Sequence, residues 1–316
     1  PPRGPEVLAT TLVFVAATAV DGKPVTQVVD SYPAPSPDGK TLLFQSNRNG
    51  RTALYTSAID GSGVKLLLDS RDDPSVAVWS PDGRRIAFAA TVEGDQPDIF
   101  VMDADGTNRK RLTTDRGDDS HPHWSADGER IFFNSARTTP VREAGWSDQW
   151  HEVFSMRADG SDVRQHTHCR AVCTFGSPSP DGRRIAYRKV VATPGFDWAL
   201  APMASNSEVF VANVDGSGER NLSNSAAFDG WPAWSPDGTR IAFASNRAGP
   251  ASVGQLYLVG VDDGTLVKLS DGPSHAQPAW TRDGRAIFAY RLWEGESYEF
   301  GGIVRFEVSA ESPDPR

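Results

Sequence analysis

A chain of 316 residues with 32 Lys and Arg against 41 Asp and Glu has a formal net charge of -9, so it lacks the basic surplus that a sequence-independent grip on nucleic acid needs. Hydrophobic residues make up 38% of it, enough for a core, but they fall in short β-type runs, and none approaches the ~20 residues that span a bilayer. Nucleic acid partners and membrane insertion are therefore not expected.

The first residues, PPRGPE, are polar and Pro-rich, as after a processed leader or at a trimmed end, so a periplasmic or secreted location is expected, with a cytoplasmic one left open. Residues 10–29, containing LVFVAATAV, DGKP and VTQVV, read as an outer hairpin with no inner pair. From there a phrase recurs six times: SPDGKTLLF from Ser36, SPDGRRIAF from Ser80, SADGERIFF from Ser125, SPDGRRIAY from Ser179, SPDGTRIAF from Ser235 and TRDGRAIFA from Thr281. The spacings of 44, 45, 54, 56 and 46 residues match a four-stranded blade. Pro presets φ while Asp and Gly supply the bend, so each phrase joins two antiparallel strands. The pairs Asp60-Gly61, Asp105-Gly106, Asp159-Gly160, Asp215-Gly216 and Asp263-Gly264 turn the outer hairpins.

The expected fold is all-β: a six-bladed β-propeller of four-stranded antiparallel blades, one domain over 1–316. Blades start near 31, 75, 120, 174, 230 and 276, and residues 1–30 supply the closing strand or strands of the last blade, which hides the sheet edges. The order of SPDG, apolar strand, Ser46-Asn47-Arg48-Asn49-Gly50 or Ser245-Asn246-Arg247, apolar strand, Asp103-Ala104-Asp105-Gly106 and Leu112-Thr113 resembles the TolB-like propellers over nearly the whole chain. That resemblance implies the fold; the repeat occurs in periplasmic scaffold proteins, beside peptidase domains and in some polysaccharide lyases. The additional amino-terminal domain of TolB has no counterpart in this sequence, and no G-x-S-x-G elbow appears.

In such a blade both hairpin turns fall on one face, and the middle loops and inter-blade connections on the other. Blade three carries TTPVREAGWSDQW there, blade four VATPGFDWALAPMASN and blade six RLWEGESYEFGG. Long irregular loops in a compact domain are usually functional or disordered. These bring Trp146, Trp150, Trp198, Trp293 and Tyr298, with the acids Glu143, Asp148, Asp197, Glu294, Glu296 and Glu299, and place His151 near the channel mouth.

Six positions before each turn stand Asp30, Pro74, Asp119, Cys173, Asp229 and His275, and four before it Tyr32, Val76, His121, Phe175, Trp231 and Gln277. Period-two alternation places both sets on one side of their strands, as a ring at the channel mouth. For Asp30 and Asp119 the competing reading is turn capping, and for Tyr32 and Phe175 packing between blades. His121, His275 and Gln277, with a carboxylate such as Asp119, form a candidate divalent-metal site for Mn, Zn or Ca. The set is similar to that of the oligogalacturonate lyases, seven-bladed propellers whose motif does not map residue by residue here. Arg188, with Lys189, breaks the repeat in blade four and suits a carboxylate substrate or proton abstraction, against the reading that both are solvated. Cys169 and Cys173 are spaced for a small disulfide in an oxidising compartment, with His166 and His168 as surface neighbours, or remain thiols.

Two functions follow. The first is a binding or scaffold module presenting an aromatic and acidic loop face to a protein, peptide or glycan. The second is a metal-assisted lyase or hydrolase acting on an oligosaccharide or small substrate, with His121, His275, Asp119, Asp229 and Arg188 as candidate catalytic groups.

Overall fold

The computed structural model describes residues 9–10, 29–69, 71–92, 96–115, 117–141, 149–191, 207–248, 254–271, 275–292 and 301–308. Among these, the repeats fold into six four-stranded antiparallel sheets and no helix occurs. The innermost strands are Asp30–Pro35, Ser75–Trp79, Asp119–Trp124, Cys173–Pro178, Asp229–Trp234 and His275–Trp280. Blade five is representative: Asp229–Trp234, Arg240–Ser245, Gln255–Gly260 and Leu266–Lys268 follow one another outward.

Chain order breaks only in blade six, where Ala9–Thr10 pairs antiparallel with Gly301–Glu307 as the outermost strand. Among the described residues the amino-terminal segment thus contributes one strand, and a sheet built from both ends of the chain closes the ring.

Each SPDG turn is built by its own side chains. In the first, the Ser36 hydroxyl donates to Asp38 Oδ1 at 2.6 Å and accepts from Thr41 N at 2.9 Å, while Gly39 takes φ +70. The same Ser or Thr to Asp bond recurs in the other five turns. It is the leading cause that holds the carboxyls of Asp38 and Asp82 below their ordinary range.

Neighbouring blades pack through apolar faces, as where Leu43 and Leu54 of blade one meet Ile86, Phe88 and Met102 of blade two. Each fully buried side chain of this kind contributes about 1.5–3 kcal/mol. The tryptophans just before the turns join the blades: Trp79 Nε1 donates to Ala34 O, Trp234 to Ser177 O and Trp280 to Ala233 O, each at 3.1 Å.

A polar clasp recurs at the other end of the inner strand. Asp30, Asp119 and Asp229 accept from Arg48, Arg137 and Arg247 at 2.8, 2.9 and 2.9 Å. Each guanidinium also donates to the serine two residues before it, Ser46, Ser135 or Ser245. Each lies over two rings of its blade: Phe44 and Tyr55, Phe133 and Phe154, or Phe243 and Tyr257. This accounts for the Ser-x-Arg motif of the middle loops. In blade four the same slot holds Cys173, joined by a disulfide to Cys169 with a Cα separation of 6.4 Å, so a covalent link replaces the ionic one.

Candidate functional site

The innermost strands are not regular. In all six the register slips across the residue four before the turn, as between Ser31 and Ala34 or Ser75 and Val78, and that residue adopts a left-handed conformation. Tyr32, Val76, His121, Phe175, Trp231 and Gln277 have φ between 48 and 57. A non-glycine residue in that region costs about 1–2 kcal/mol, and six at equivalent places are a built feature of the fold. The bulge undoes the expected alternation. The residues six before the turn go into the blade, where Asp30, Asp119 and Asp229 are clasped and nearly inaccessible, while those four before it face the central channel. Four of the six left-handed residues precede a proline, namely Pro33, Pro122, Pro232 and Pro278. Proline is confined to edges and bulges of sheets, and this signal in the sequence marks the break in alternation.

The channel-facing residues form a waist across the propeller axis. The Tyr32 and His121 rings are 5.9 Å apart, His121 meets Phe175 edge-on at 4.4 Å, and Phe175 lies 5.7 Å from Trp231. Gln277 Oε1 accepts from Tyr32 N at 2.9 Å, which ties blade six to blade one. Arg188, 3% exposed, places its guanidinium over Phe175 at 5.1 Å and over Phe228 at 5.6 Å. It is therefore buried against the waist, whereas Lys189 turns to Glu219 at 2.7 Å.

Burial sets the electrostatics. It pushes Arg188 down to about 9, and it drives His121 to about 3 with His123 and Arg188 adding to the effect. His123, His151 and His275 are each held near 4, chiefly by burial. All four imidazoles are neutral at pH 7. Asp118, beside the clasp of blade three, is 1% exposed, has no hydrogen-bond partner for either oxygen, and is raised to about 7 by burial and then by Asp119 and Asp98. Burial also outweighs the arginine partners of Asp119 and Asp229, whose carboxyls are raised.

Below the waist, a cavity of about 510 Å³ runs toward the SPDG turns. Its walls are Trp79, Trp124, Trp234 and Trp280 with Pro37, Pro81, Pro180 and Pro236, and its polar groups include His123 and Arg282. These wall residues were not among the sequence candidates, although they stand directly before or after the turn serine in repeat after repeat. The cavity lies on the turn side of the ring. Trp146, Trp198, Trp293 and Tyr298, with Glu143, Asp148, Asp197, Glu294, Glu296 and Glu299, lie outside the described residues. Trp150 is half-buried, with its backbone N–H donating to Thr139 Oγ1, and His151 is 2% exposed and paired by its backbone to blade four.

The metal candidates are separated. His275 packs edge-on against Phe306 at 5.0 Å, Asp119 is held by Arg137, Gln277 holds Tyr32 N, and of the four only His121 and Gln277 line the channel, from blades three and six. Among the described residues the one group of three His, Cys, Asp or Glu with converging ligand atoms is Glu152, Cys169 and Cys173. Its two sulfurs are bonded to each other, and the Glu152 carboxylate accepts from Thr167, Cys169 N and Arg170 N. These donor sets do not fit a divalent cation. His166 is not a surface residue: it is stacked on Phe132, and its nitrogens bond Ser155 Oγ and Val214 O.

The model for the TolB beta propeller domain matches residues 69–195. The chain is 29% identical over 310 residues to Dipeptidyl-peptidase 5 of Porphyromonas gingivalis, covering 83% of this chain and 44% of that protein. It is also 29% identical over 220 residues to a protein TolB homolog of Chlorobium luteolum, covering 70% and 35%. It spans less than half the length of either relative. TolB from Acinetobacter baumannii superposes with a TM-score of 0.63 at 23% identity, covering 80% of this chain and 57% of that one. An oligogalacturonate lyase in complex with manganese does so at 0.59 and 11%, covering 96% and 97%, a likeness of fold alone. The recurring turns and the blade closed by both ends of the chain make the protein a six-bladed β-propeller, and the matched domain model and these relatives make it similar to the TolB propellers.

Proposed function

We propose that the protein is a binding module that takes an extended peptide segment of a protein partner into the turn end of its central channel. One observation carries the reading: the cavity of about 510 Å³ has apolar walls of proline and tryptophan rings and a few polar groups at its inner end. Rigid rings present contact area that costs little conformational entropy to order, as in sites that accept peptide side chains. Trp146, Trp198, Trp293 and Tyr298, which lie outside the described residues, are proposed as a second contact set for a protein or glycan. The disulfide supports a periplasmic or secreted location.

A metal-assisted lyase or hydrolase is the less supported reading, because His121, His275, Gln277 and Asp119 do not gather as one ligand set among the described residues. The test uses Ala126, an exposed turn residue on the cavity wall. Fluorescein-labelled decapeptide libraries are screened by anisotropy against the wild type and Ala126→Trp. Peptides that bind the wild type and lose affinity for the blocked channel support the reading, and equal binding to both overturns it.

A further inference from the structure

The waist carries polar groups that its aromatic packing does not use. His121 Nε2 is buried without a hydrogen-bond partner, Trp231 Nε1 has only the neighbouring Tyr32 hydroxyl, outside good hydrogen-bond geometry, and both residues line the cavity. Leaving a buried donor unsatisfied costs about 1–3 kcal/mol, so one unsatisfied and one poorly satisfied donor in a single constriction call for a better acceptor. His121 Nδ1 lies 3.1 Å from Ser120 Oγ; with that nitrogen accepting the hydroxyl proton, the neutral imidazole carries its own proton on Nε2 and is a donor there. The indole N–H is a donor only.

The third group is Arg188. Its guanidinium covers one face of Phe175 at 5.1 Å, while the ring of His121 meets Phe175 edge-on and Trp231 lies 5.7 Å away, so all three groups surround one phenyl ring. Burial raises the Tyr32 phenol and lowers the His121 imidazole, and the Arg188 charge opposes the first shift and adds to the second. The potential at the waist is therefore positive, and the low dielectric of the rings strengthens it. Positive potential combined with N–H donors that lack a good acceptor selects an anion, and it disfavours the divalent cation considered from the sequence.

We propose that the waist is a carboxylate-binding site, in which His121 Nε2–H and Trp231 Nε1–H donate to the two oxygens and Arg188 supplies the compensating charge from behind Phe175. The proposal deepens the peptide-binding reading and rests on it for the source of the group, a peptide's terminal carboxylate or an acidic side chain. The site itself requires only the carboxylate.

The experiment follows the Trp231 indole proton in a proton–nitrogen correlation spectrum, assigned with Trp231→Phe, while sodium propionate is added against sodium chloride at equal ionic strength. The expected result is a saturable downfield shift with propionate only, weakened about tenfold or more in Arg188→Gln and largely restored in Arg188→Lys. No shift with propionate, an equal shift with chloride, or an unchanged affinity in Arg188→Gln overturns the proposal. Should Arg188→Gln fail to fold, calorimetric titration of propionate into Trp231→Phe and the wild type carries the same decision: lost heat supports the site, and equal heat overturns it. Matched decapeptides with acid and amide carboxy termini separate the sources. Propionate binding without any peptide binding keeps the carboxylate site and refutes the peptide reading, whereas peptide binding without propionate binding does the reverse.

Discussion

The turn end of the channel and its waist are made by the same six strands, a few residues apart, yet they obey different rules. At the turns the repeats share their chemistry, a Ser or Thr hydroxyl donating to the Asp two residues on in every copy. At the waist they share only a backbone conformation, with φ near +50 in all six, and each position carries a different side chain. Repetition of side chain marks what the blade needs in order to form. Repetition of backbone with free choice of side chain marks a surface held in place for something else, at a cost of strain that the blades must offset.

That contrast is open to measurement, and the repeated clasps give the largest expected effect. Asp229→Ala removes one partner of a buried ion pair and leaves Arg247 without its carboxylate, so urea denaturation should show a loss of about 3–5 kcal/mol. A loss under 1 kcal/mol would mean that repetition does not mark structural need.

Asp118 gives the next largest effect. Its folded pKa of about 7 stands above the unfolded carboxyl value, so the folded state holds the proton more tightly and stability is lost as pH rises from about 4 to 7. The loss amounts to about 4 kcal/mol. Asp118→Asn should remove that slope, and a variant with the wild-type slope would refute the assignment.

The waist supplies the opposite slope. His121 is held near 3, below its unfolded value, so its contribution is complete above about pH 6.5 and is lost as pH falls. Between pH 6.5 and 4.5 the loss is up to about 3 kcal/mol, and His121→Phe should lose correspondingly less on acidification. The smallest expected change is that of Trp231→Phe, a conservative swap at a non-repeating position, which should shift stability by under about 1.5 kcal/mol while removing the indole donor. A large loss would make Trp231 a packing residue and blur the distinction between waist and turns.

The expected ring of four-stranded blades was legible because SPDG and its relatives are local devices. The turn is settled within the six residues Ser36 to Thr41, and a chemistry that short repeats visibly in a sequence. The candidate site was legible only in part. The twelve inner-strand positions were identified, but the clasp joins residues 18 apart, and nothing in simple alternation separates Asp119, turned into the blade, from His121, turned into the channel. Pro122 was the available hint, since a proline after His121 is at odds with a regular inner strand.

By itself, then, the sequence determined the blade, because each hairpin carries its own turn chemistry and apolar pattern. Only the tertiary structure decided which side chains meet on the axis. Phe175, His121 and Trp231 belong to three blades, and Arg188 reaches them from a second strand, so their convergence depends on closing the ring. Ring closure is a property of six packed sheets and of the strand Ala9–Thr10 that completes the last one, and no single repeat contains it.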